Sequence, residues 1–201
     1  MKLAACHQLG VYSLSGHWYR AVQLAHYRSL LSQGHTPTGA SRFNAGSVRN
    51  PFPILYFAQD QQLALFEVRA LVGSAVPVGV YFPNPSASWV VIAVRVRLQH
   101  VVDLTQAKAR RTIRMSVQEL TGDWVGYRRR RPIPPTKHPY TDIPTQLLGA
   151  ALVAMPNIEA FLTYSAIDSS RKSLVVFPDK LQTGSWVKFF NPVSGGIDRI
   201  P

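Results

Sequence analysis

Short apolar runs, separated by turns and helices, constrain the fold of this chain more than any other feature of its sequence. Runs of this kind are typical of buried or half-buried strands. Because the segments between them follow no regular strand–helix–strand rhythm, the sequence predicts an α+β domain. The predicted strands are Ile54–Ala58, Val78–Phe82, Val90–Leu98, Ala160–Tyr164, Leu174–Phe177 and Trp186–Phe190.

The predicted helices lie before, between and after these strands. Apolar periodicity and candidate capping residues define them, with Asp60 before one helix and Asp103 or Thr105 before another. A segment rich in Gly, Ser, Asn and Pro, residues 36–53, predicts a loop. No internal repeat or linker interrupts the chain, so we expect one domain over residues 1–201. The predicted helices are His17–Gln33, Gln61–Val72, Gln106–Leu120 and Thr145–Met155.

Cysteine content and motif content exclude several classes of protein. A single cysteine, Cys6, cannot form an internal disulfide or a multi-thiolate zinc site, so we expect a cytoplasmic protein without a bound metal. The histidines form no ligand pair beside a carboxylate, and no apolar run is long enough to span a membrane. The common phosphate-binding, zinc-protease and serine-hydrolase signatures are also missing.

The charge of the chain is strongly positive and unevenly distributed. Twenty-two Lys and Arg against ten Asp and Glu give a net charge of +12, which favours anionic partners. Half of the basic residues lie in residues 95–137, including Lys108–Arg114 and Arg128–Arg131. One alternative function is therefore a basic nucleic-acid-binding module built on these two stretches.

Acidic residues are so rare in the first part of the chain that each one is informative. Asp60 and Glu67 are the only acidic residues in positions 1–94 of the sequence. Glu67 lies on or beside the apolar stripe of the helix predicted at Gln61–Val72. Two interpretations stay open: a boundary carboxylate that reaches solvent or pairs with an arginine, or a carboxylate held at the mouth of a cleft.

An ordered series of short motifs runs through most of the chain. In this order and spacing the motifs resemble the RES domain family, over about Tyr19–Pro178. The block from Arg42 to Glu67 is the most specific part. The motifs are Tyr19-Arg20, Gly39-Ala-Ser-Arg42-Phe-Asn44-Ala-Gly46, Leu55-Tyr56-Phe-Ala58, Ala64-Leu-Phe-Glu67-Val, Leu120-Thr-Gly-Asp-Trp124, Thr145-Gln-Leu-Leu-Gly149, and Ser165-Ala-Ile-Asp-Ser169-Ser170 before Leu174-Val-Val-Phe177.

This resemblance implies a fold, an activity and a partner. The implied fold is ADP-ribosyltransferase-like, with two small β-sheets that form a cleft and with flanking helices. The implied function is that of a toxin that cleaves NAD at the nicotinamide–ribose bond, by hydrolysis or phosphorolysis, and so depletes cellular NAD. NAD is then a substrate, and no cofactor is expected. The implied partner is an antitoxin with a helix-turn-helix (Xre-type) region. Nucleic acid would be contacted only through this antitoxin. Self-association of the chain is left open.

The resemblance also assigns roles to individual residues. The implied catalytic residues are Glu67, Arg20 and one serine of the pair Ser169 and Ser170, with Ser170 slightly favoured. The family serine usually follows a tyrosine and a proline, so the Asp168-Ser169-Ser170 stretch departs from the pattern. The implied NAD-binding residues are Arg42, Tyr56 and Asn44. With the same cleft residues, an alternative activity is transfer of ADP-ribose to a protein or an RNA.

Overall fold

The computed structural model of the chain describes residues 1–29, 31, 39–46, 51–68, 70, 74–75, 81–82, 88–124, 126, 143–191 and 194–201. The basic run Arg128–Arg131 and the first part of the strand predicted at Val78–Phe82 lie outside these residues. None of the helices in the described ranges has the length and the apolar run that crossing a lipid bilayer needs. The described helices are α1 (Gln61–Glu67), α2 (Ala107–Ile113), α3 (Val117–Thr121) and α4 (Pro144–Val153), with 3₁₀ turns at Leu3–Gln8, Leu24–Ser29 and Pro178–Lys180.

Strands form the main body of the molecule, and the prediction of mixed α and β structure is confirmed. Within the described ranges the main sheet has seven strands in the order β1-β2-β7-β6-β5-β8-β9, and β3 pairs with β4 apart from it. The strands are β1 (Val11–Gln23), β2 (Leu55–Ala58), β3 (Ser74–Ala75), β4 (Tyr81–Phe82), β5 (Trp89–Asp103), β6 (Ala160–Tyr164), β7 (Lys172–Val176), β8 (Trp186–Asn191) and β9 (Gly196–Ile200).

The expectation of two small sheets is wrong, because the main sheet closes on itself. Strand β1 pairs with β2 at one position and with β5 along nearly its whole length, from Val11 opposite Val102 to Gln23 opposite Trp89. The ring β1-β2-β7-β6-β5 is therefore a closed five-stranded barrel, and β8 and β9 extend it from β5. Long, twisted strands allow such closure, and closure removes two unpaired sheet edges.

The helix predicted at His17–Gln33 is wrong in the part that the structure describes. Residues 11–23 form strand β1, and a 3₁₀ turn follows at Leu24–Ser29. The apolar residues of this segment fit a helical period, but Trp18, Tyr19 and Val22 also have high strand propensity. Pairing with β5 decided the outcome, since a weak local preference yields to a long ladder of backbone hydrogen bonds.

Most of the other predicted elements are confirmed, with changed ends. Asp60 caps α1 as expected, accepting a hydrogen bond from the backbone N–H of Leu63 at 2.8 Å, but α1 ends at Glu67. The helix predicted at Gln106–Leu120 is two helices, because Arg114 adopts a left-handed conformation (φ 51°) and Ser116 begins α3 with a capping box. The other predicted strands and the helix predicted at Thr145–Met155 lie within two residues of their observed counterparts, with two exceptions. Strand β5 runs on to Asp103, and only the last two residues of the strand predicted at Val78–Phe82 are described, as β4.

Three apolar clusters hold the barrel and its helices together, the smallest of them between α1 and strands β1 and β2. The barrel interior contains inward-facing residues of its strands, among them Leu55, Phe57 and Val94. A second cluster lies between the outer wall of the barrel and the helices, where Phe43 and Phe161 pack edge to face with ring centroids 4.9 Å apart. The second cluster fixes the loop that carries Phe43 against the barrel wall.

A buried carboxylate joins several chain segments at one end of the barrel. Glu159 is fully buried and accepts hydrogen bonds from the backbone N–H groups of Gln99, His100 and Gln182 and from the hydroxyl of Ser185. Four hydrogen-bond donors compensate the buried negative charge of Glu159. The side chain therefore stabilises the fold only as long as both of its carboxylate oxygens accept hydrogen bonds.

We expect Glu159→Gln to lower the free energy of unfolding by about 1–3 kcal/mol, because one acceptor oxygen becomes an N–H donor that faces other donors. Urea unfolding followed by circular dichroism measures the change. The control is Asp179→Asn, the same change of carboxylate to amide at an exposed position, which should stay within about 0.5 kcal/mol of the wild type. Equal stabilities of the two variants would contradict the role of Glu159.

Candidate functional site

One cavity of about 670 Å³ opens beside the barrel, within the usual size range of small-molecule sites. Its walls come from β1, β2, β7, α1, the loop of residues 39–46, the residues after α3 and the turn after β6. The cavity combines aromatic rings with charges of both signs. The lining residues are Tyr19, Arg20, Ser41, Arg42, Phe43, Tyr56, Phe57, Ala58, Ala64, Glu67, Val68, Thr121, Gly122, Asp123, Trp124, Ala166, Ile167, Ser173 and Val175.

Arg20 brings a cation into the cavity from strand β1. Its neighbours place it there, since Arg20 pairs with Ile92 of β5 and lies beside Tyr19, which pairs with Ala58 of β2. Burial lowers the pKa of the Arg20 guanidinium to about 10, so the group keeps its charge at neutral pH. A poorly solvated cation favours an anionic ligand, because the ligand replaces the solvation that burial removes.

Arg42 is the second cation of the cavity and is anchored to the backbone. Its side chain is buried, and its Nη atoms donate to the carbonyl oxygens of Tyr164, at 3.1 Å, and Leu120. The guanidinium also lies over the ring of Phe43, 4.8 Å from the centroid. Its Nε has no hydrogen-bond partner among the described residues, which leaves a buried donor for a ligand. Burial lowers the pKa of Arg42 to about 10, opposed by the charge of Glu67.

The hydroxyl of Tyr56 holds the loop of residues 39–46 against strand β2. It accepts a hydrogen bond from the backbone N–H of Phe43 at 3.1 Å and shares another with the Ser41 hydroxyl at 2.8 Å. Burial raises the pKa of Tyr56 to about 12, so the phenol stays neutral at physiological pH. Tyr56 is therefore both part of the cavity wall and a support of the loop that presents Arg42.

Glu67 is the last residue of α1, and its carboxylate is held by two serines. Its Oε1 accepts hydrogen bonds from the hydroxyls of Ser165 and, at 3.4 Å, Ser173. The Ser165 oxygen accepts from the backbone N–H groups of Ile167 and Asp168, so its single proton is directed at Glu67. A carboxylate at the C-terminal end of a helix is disfavoured by the helix dipole, and these two hydroxyls offset that cost.

Four of the residues implied by the resemblance line this one cavity, and the others do not. Arg20, Arg42, Tyr56 and Glu67 are lining residues. The serines Ser169 and Ser170 are exposed in the turn after β6, and the Ser170 hydroxyl donates to Asp168 at 2.6 Å. Asn44 is fully buried and braces the loop internally. Its Nδ2 donates to the carbonyl oxygen of Phe52 at 2.8 Å, and its Oδ1 accepts from the N–H of Gly46 at 2.9 Å.

The sequence motifs assign no role to Ser165, although it begins the last of them. Ser165 is fully buried, and its hydroxyl donates a hydrogen bond to Glu67. The available signal was the position of Ser165 directly after Tyr164, because the family serine usually follows a tyrosine and a proline.

Helix α4 holds the loop of residues 39–46 in place from the other side. Gln146 Nε2 donates to the carbonyl oxygens of Ser41, at 2.8 Å, and Asn44, at 3.2 Å. One turn later, a Cβ on Gly149 would lie 1.9 Å from the Phe43 carbonyl oxygen. The helix can approach the loop this closely only because residue 149 is glycine.

The chemistry of the cavity suits a ligand with both anionic and polar groups. Its cations can bind phosphate oxygens, its rings can stack on a heterocycle, and its carboxylate can accept hydroxyl protons or stabilise positive charge. Within the described ranges, no three His, Cys, Asp or Glu side chains lie close enough to hold a metal ion.

Comparisons with known proteins show a family and a similar fold. The RES domain profile matches residues 17–186, most of the chain. The fold is similar to that of a chain in the crystal structure of the M. tuberculosis MbcT-MbcA toxin-antitoxin complex, with a TM-score of 0.60 and 20% sequence identity over 90% of this chain and 85% of that one. At this identity the likeness shows a shared fold. A search of curated proteins finds no match.

Proposed function

The chain belongs to the RES domain family, and from this premise we propose that it is a toxin enzyme that cleaves NAD at the bond between nicotinamide and ribose. The observation that supports this activity most directly is that Arg20, Arg42 and Glu67 line the same cavity. A dinucleotide carries phosphates, hydroxyls and two flat bases, and the cavity offers a complementary group for each. An ADP-ribosyltransferase-like relationship is part of the same proposal.

The two arginines would bind the pyrophosphate of NAD. A guanidinium offers planar, paired donors to phosphate oxygens, which a lysine does not. The Nη atoms of Arg42 donate to two backbone carbonyls, so the side chain is oriented before the ligand arrives. Its Nε has no hydrogen-bond partner among the described residues. Such preorganisation avoids the entropy cost of ordering a long side chain on binding.

The aromatic lining would hold the two bases. Tyr19, Tyr56 and Trp124 are lining residues of the cavity. Nicotinamide and adenine are flat and gain from stacking on such faces. The neutral Tyr56 phenol adds a hydroxyl that is already fixed by Phe43 and Ser41, so the nicotinamide end of the ligand would meet a rigid surface.

Glu67 would stabilise the transition state. As the bond to nicotinamide breaks, the electron pair leaves with the neutral base and positive charge develops on the ribose, giving an oxocarbenium-like state. A carboxylate beside the ribose stabilises this charge more than it stabilises the ground state. Ser165 and Ser173 hold Oε1, so Oε2 stays available to accept from a ribose hydroxyl.

Water or inorganic phosphate would complete the reaction by attacking the ribose carbon. Attack by water gives ADP-ribose, nicotinamide and a proton, and attack by phosphate gives a phosphorylated ADP-ribose. A macromolecular acceptor is the alternative that the same cavity residues would serve.

The toxin role rests on the family and on the fold. The similar solved structure is described as a toxin-antitoxin complex, so we propose that a cognate helix-turn-helix antitoxin pairs with this chain and covers the cavity. Co-expression with the protein encoded by an adjacent open reading frame should restore growth that expression of this chain alone arrests.

Nicotinamide release tests the proposed activity directly. Purified protein is incubated with NAD in buffers with and without phosphate, and nicotinamide is quantified by chromatography. We expect release in at least one buffer, with ADP-ribose or its phosphate as the second product. Label from adenine-labelled NAD that appears on protein or RNA would instead support transfer to a macromolecule. Folded protein that releases no nicotinamide under any of these conditions would refute the proposal.

A further inference from the structure

Four basic residues form a continuous row across the outer face of the sheet. His17 of β1 lies opposite Arg95 of β5, Arg95 lies opposite Lys188 of β8, and Lys188 lies opposite Arg199 of β9. Arg97 lies on the same face of β5, two residues from Arg95. We call His17, Arg95, Lys188 and Arg199 the basic row.

The side chains of the basic row point away from the barrel interior. Along β5, exposed Arg95 and Arg97 alternate with Val94, Val96 and Leu98, which are buried in the barrel core. No member of the row lines the cavity that contains Glu67. The row is therefore a separate surface on the opposite side of the β5 wall from the barrel core.

Folding alone does not account for this arrangement of charges. Neighbouring strands lie about 4.8 Å apart, and like charges directly opposite each other destabilise a sheet. Within the part of the chain that the structure describes, the ion pairs join Arg171 to Asp60 and Asp168, and none involves the basic row. The row keeps its mutual repulsion in the free protein, and an anionic ligand would relieve it.

Aromatic side chains flank the row along β8. Trp186 lies opposite Arg97, and the centre of the Trp186 ring is 4.3 Å from the Lys188 ammonium. Two residues beyond Lys188 on the same face, Phe190 is 64% exposed and lies opposite Ile197, which is equally exposed. Cations with flat rings on both sides are the combination that binds the backbone and the bases of a single-stranded nucleic acid.

We propose that this outer sheet face binds single-stranded nucleic acid, with phosphates along the basic row and bases stacked on Trp186 and Phe190. Charge complementarity selects an anionic ligand, and the exposed rings favour one that carries bases. This surface is different from the basic stretch at Lys108–Arg114, which lies on helix α2 and the residue after it. The proposal is independent of NAD cleavage.

Fluorescence anisotropy with a labelled oligouridine of about 15 nucleotides tests the proposal. We expect binding at low salt that weakens as salt rises, with a slope of log K against log salt of about −2 for phosphate contacts by Arg95, Lys188 and Arg199. The double variant Arg95→Glu with Lys188→Glu should weaken binding at least about tenfold. The matched control, Lys108→Glu with Arg111→Glu, makes the same charge change at exposed positions of α2 and should stay within about threefold of wild type.

A second variant tests stacking, and an unfolding measurement keeps the result interpretable. Phe190→Ala should weaken binding about tenfold with little change in the salt slope, because ring stacking carries no charge. Thermal unfolding checks each variant, and Arg95→Gln with Lys188→Gln replaces the charge reversal if that protein does not fold.

Three results would overturn the proposal. The wild type could fail to bind at low salt, or the variants of the basic row could bind as tightly as the wild type. Heparin could also displace the oligonucleotide while Phe190→Ala binds normally, in which case the face is a general polyanion surface suited to an acidic protein segment.

Discussion

Glu67→Gln should lower the rate constant for nicotinamide release from NAD by about a hundredfold or more, the loss expected when one preorganised electrostatic group is removed. The substitution keeps the shape of the side chain and its hydrogen bonds to Ser165 and Ser173. It removes the negative charge that would face the cationic ribose. Because this charge matters in the transition state more than in the ground state, kcat should fall while KM for NAD changes little.

A matched control separates this effect from a general effect of charge. Glu119→Gln makes the same chemical change in the capping box of α3. Gln can replace Glu at the third position of the helix in such a box, so the cap is kept. Glu119 does not line the cavity, so the kcat of the Glu119→Gln variant should equal that of the wild type. Turnover of Glu67→Gln at the level of this control would remove Glu67 from the mechanism and leave the binding role of the arginines to be tested separately.

Gly149→Ala should destabilise the protein by about 1–3 kcal/mol and should also impair NAD turnover. Alanine is intrinsically better than glycine in a helix by about 1 kcal/mol, so helix propensity alone predicts the opposite sign. The new Cβ would lie 1.9 Å from the Phe43 carbonyl oxygen and 2.9 Å from its carbonyl carbon, both backbone atoms. The loop of residues 39–46 must therefore move away from α4. This movement displaces Arg42 and disturbs the hydrogen bond between the Phe43 N–H and the Tyr56 hydroxyl.

Urea unfolding and NAD turnover measure the two parts of this prediction. Gly10→Ala is the control, since a Cβ at Gly10 meets nothing within 4 Å. That variant should be neutral or more stable by up to about 1 kcal/mol, because alanine reduces the entropy of the unfolded chain. A Gly149→Ala protein that is as stable and as active as Gly10→Ala would show that α4 does not hold the loop in the way we infer.

Local patterns predicted the elements that local chemistry controls. The strands at Leu55–Ala58 and Ala160–Tyr164 follow from short apolar runs, and the start of α1 follows from the Asp60 cap. The prediction of a helix at His17–Gln33 failed because the apolar spacing of that segment fits a helix about as well as a strand. Only the partner strand β5, about 80 residues away in sequence, resolved that ambiguity.

The candidate site divides in the same way. The resemblance to the RES family placed Arg20, Arg42, Tyr56 and Glu67 in one site, and the structure brings them to one cavity. Ser169 and Ser170 were chosen by their position in a motif, whereas a hydroxyl contacts Glu67 only if its strand end and turn present it. Ser165 satisfies that condition because two backbone N–H groups orient its oxygen.

The amino-acid sequence by itself determined that this is a strongly basic α+β protein of the RES family with a rare carboxylate at Glu67. These properties depend on residue identity and on short spacings, which the chain carries whether or not it is folded. Only the tertiary structure decided that the sheet closes into a barrel, that Ser165 holds Glu67, and that the basic row aligns across β1, β5, β8 and β9. Strand pairing sets the barrel and the basic row, and the turn after β6 sets the contact of Ser165 with Glu67. All three depend on contacts between residues far apart in the chain.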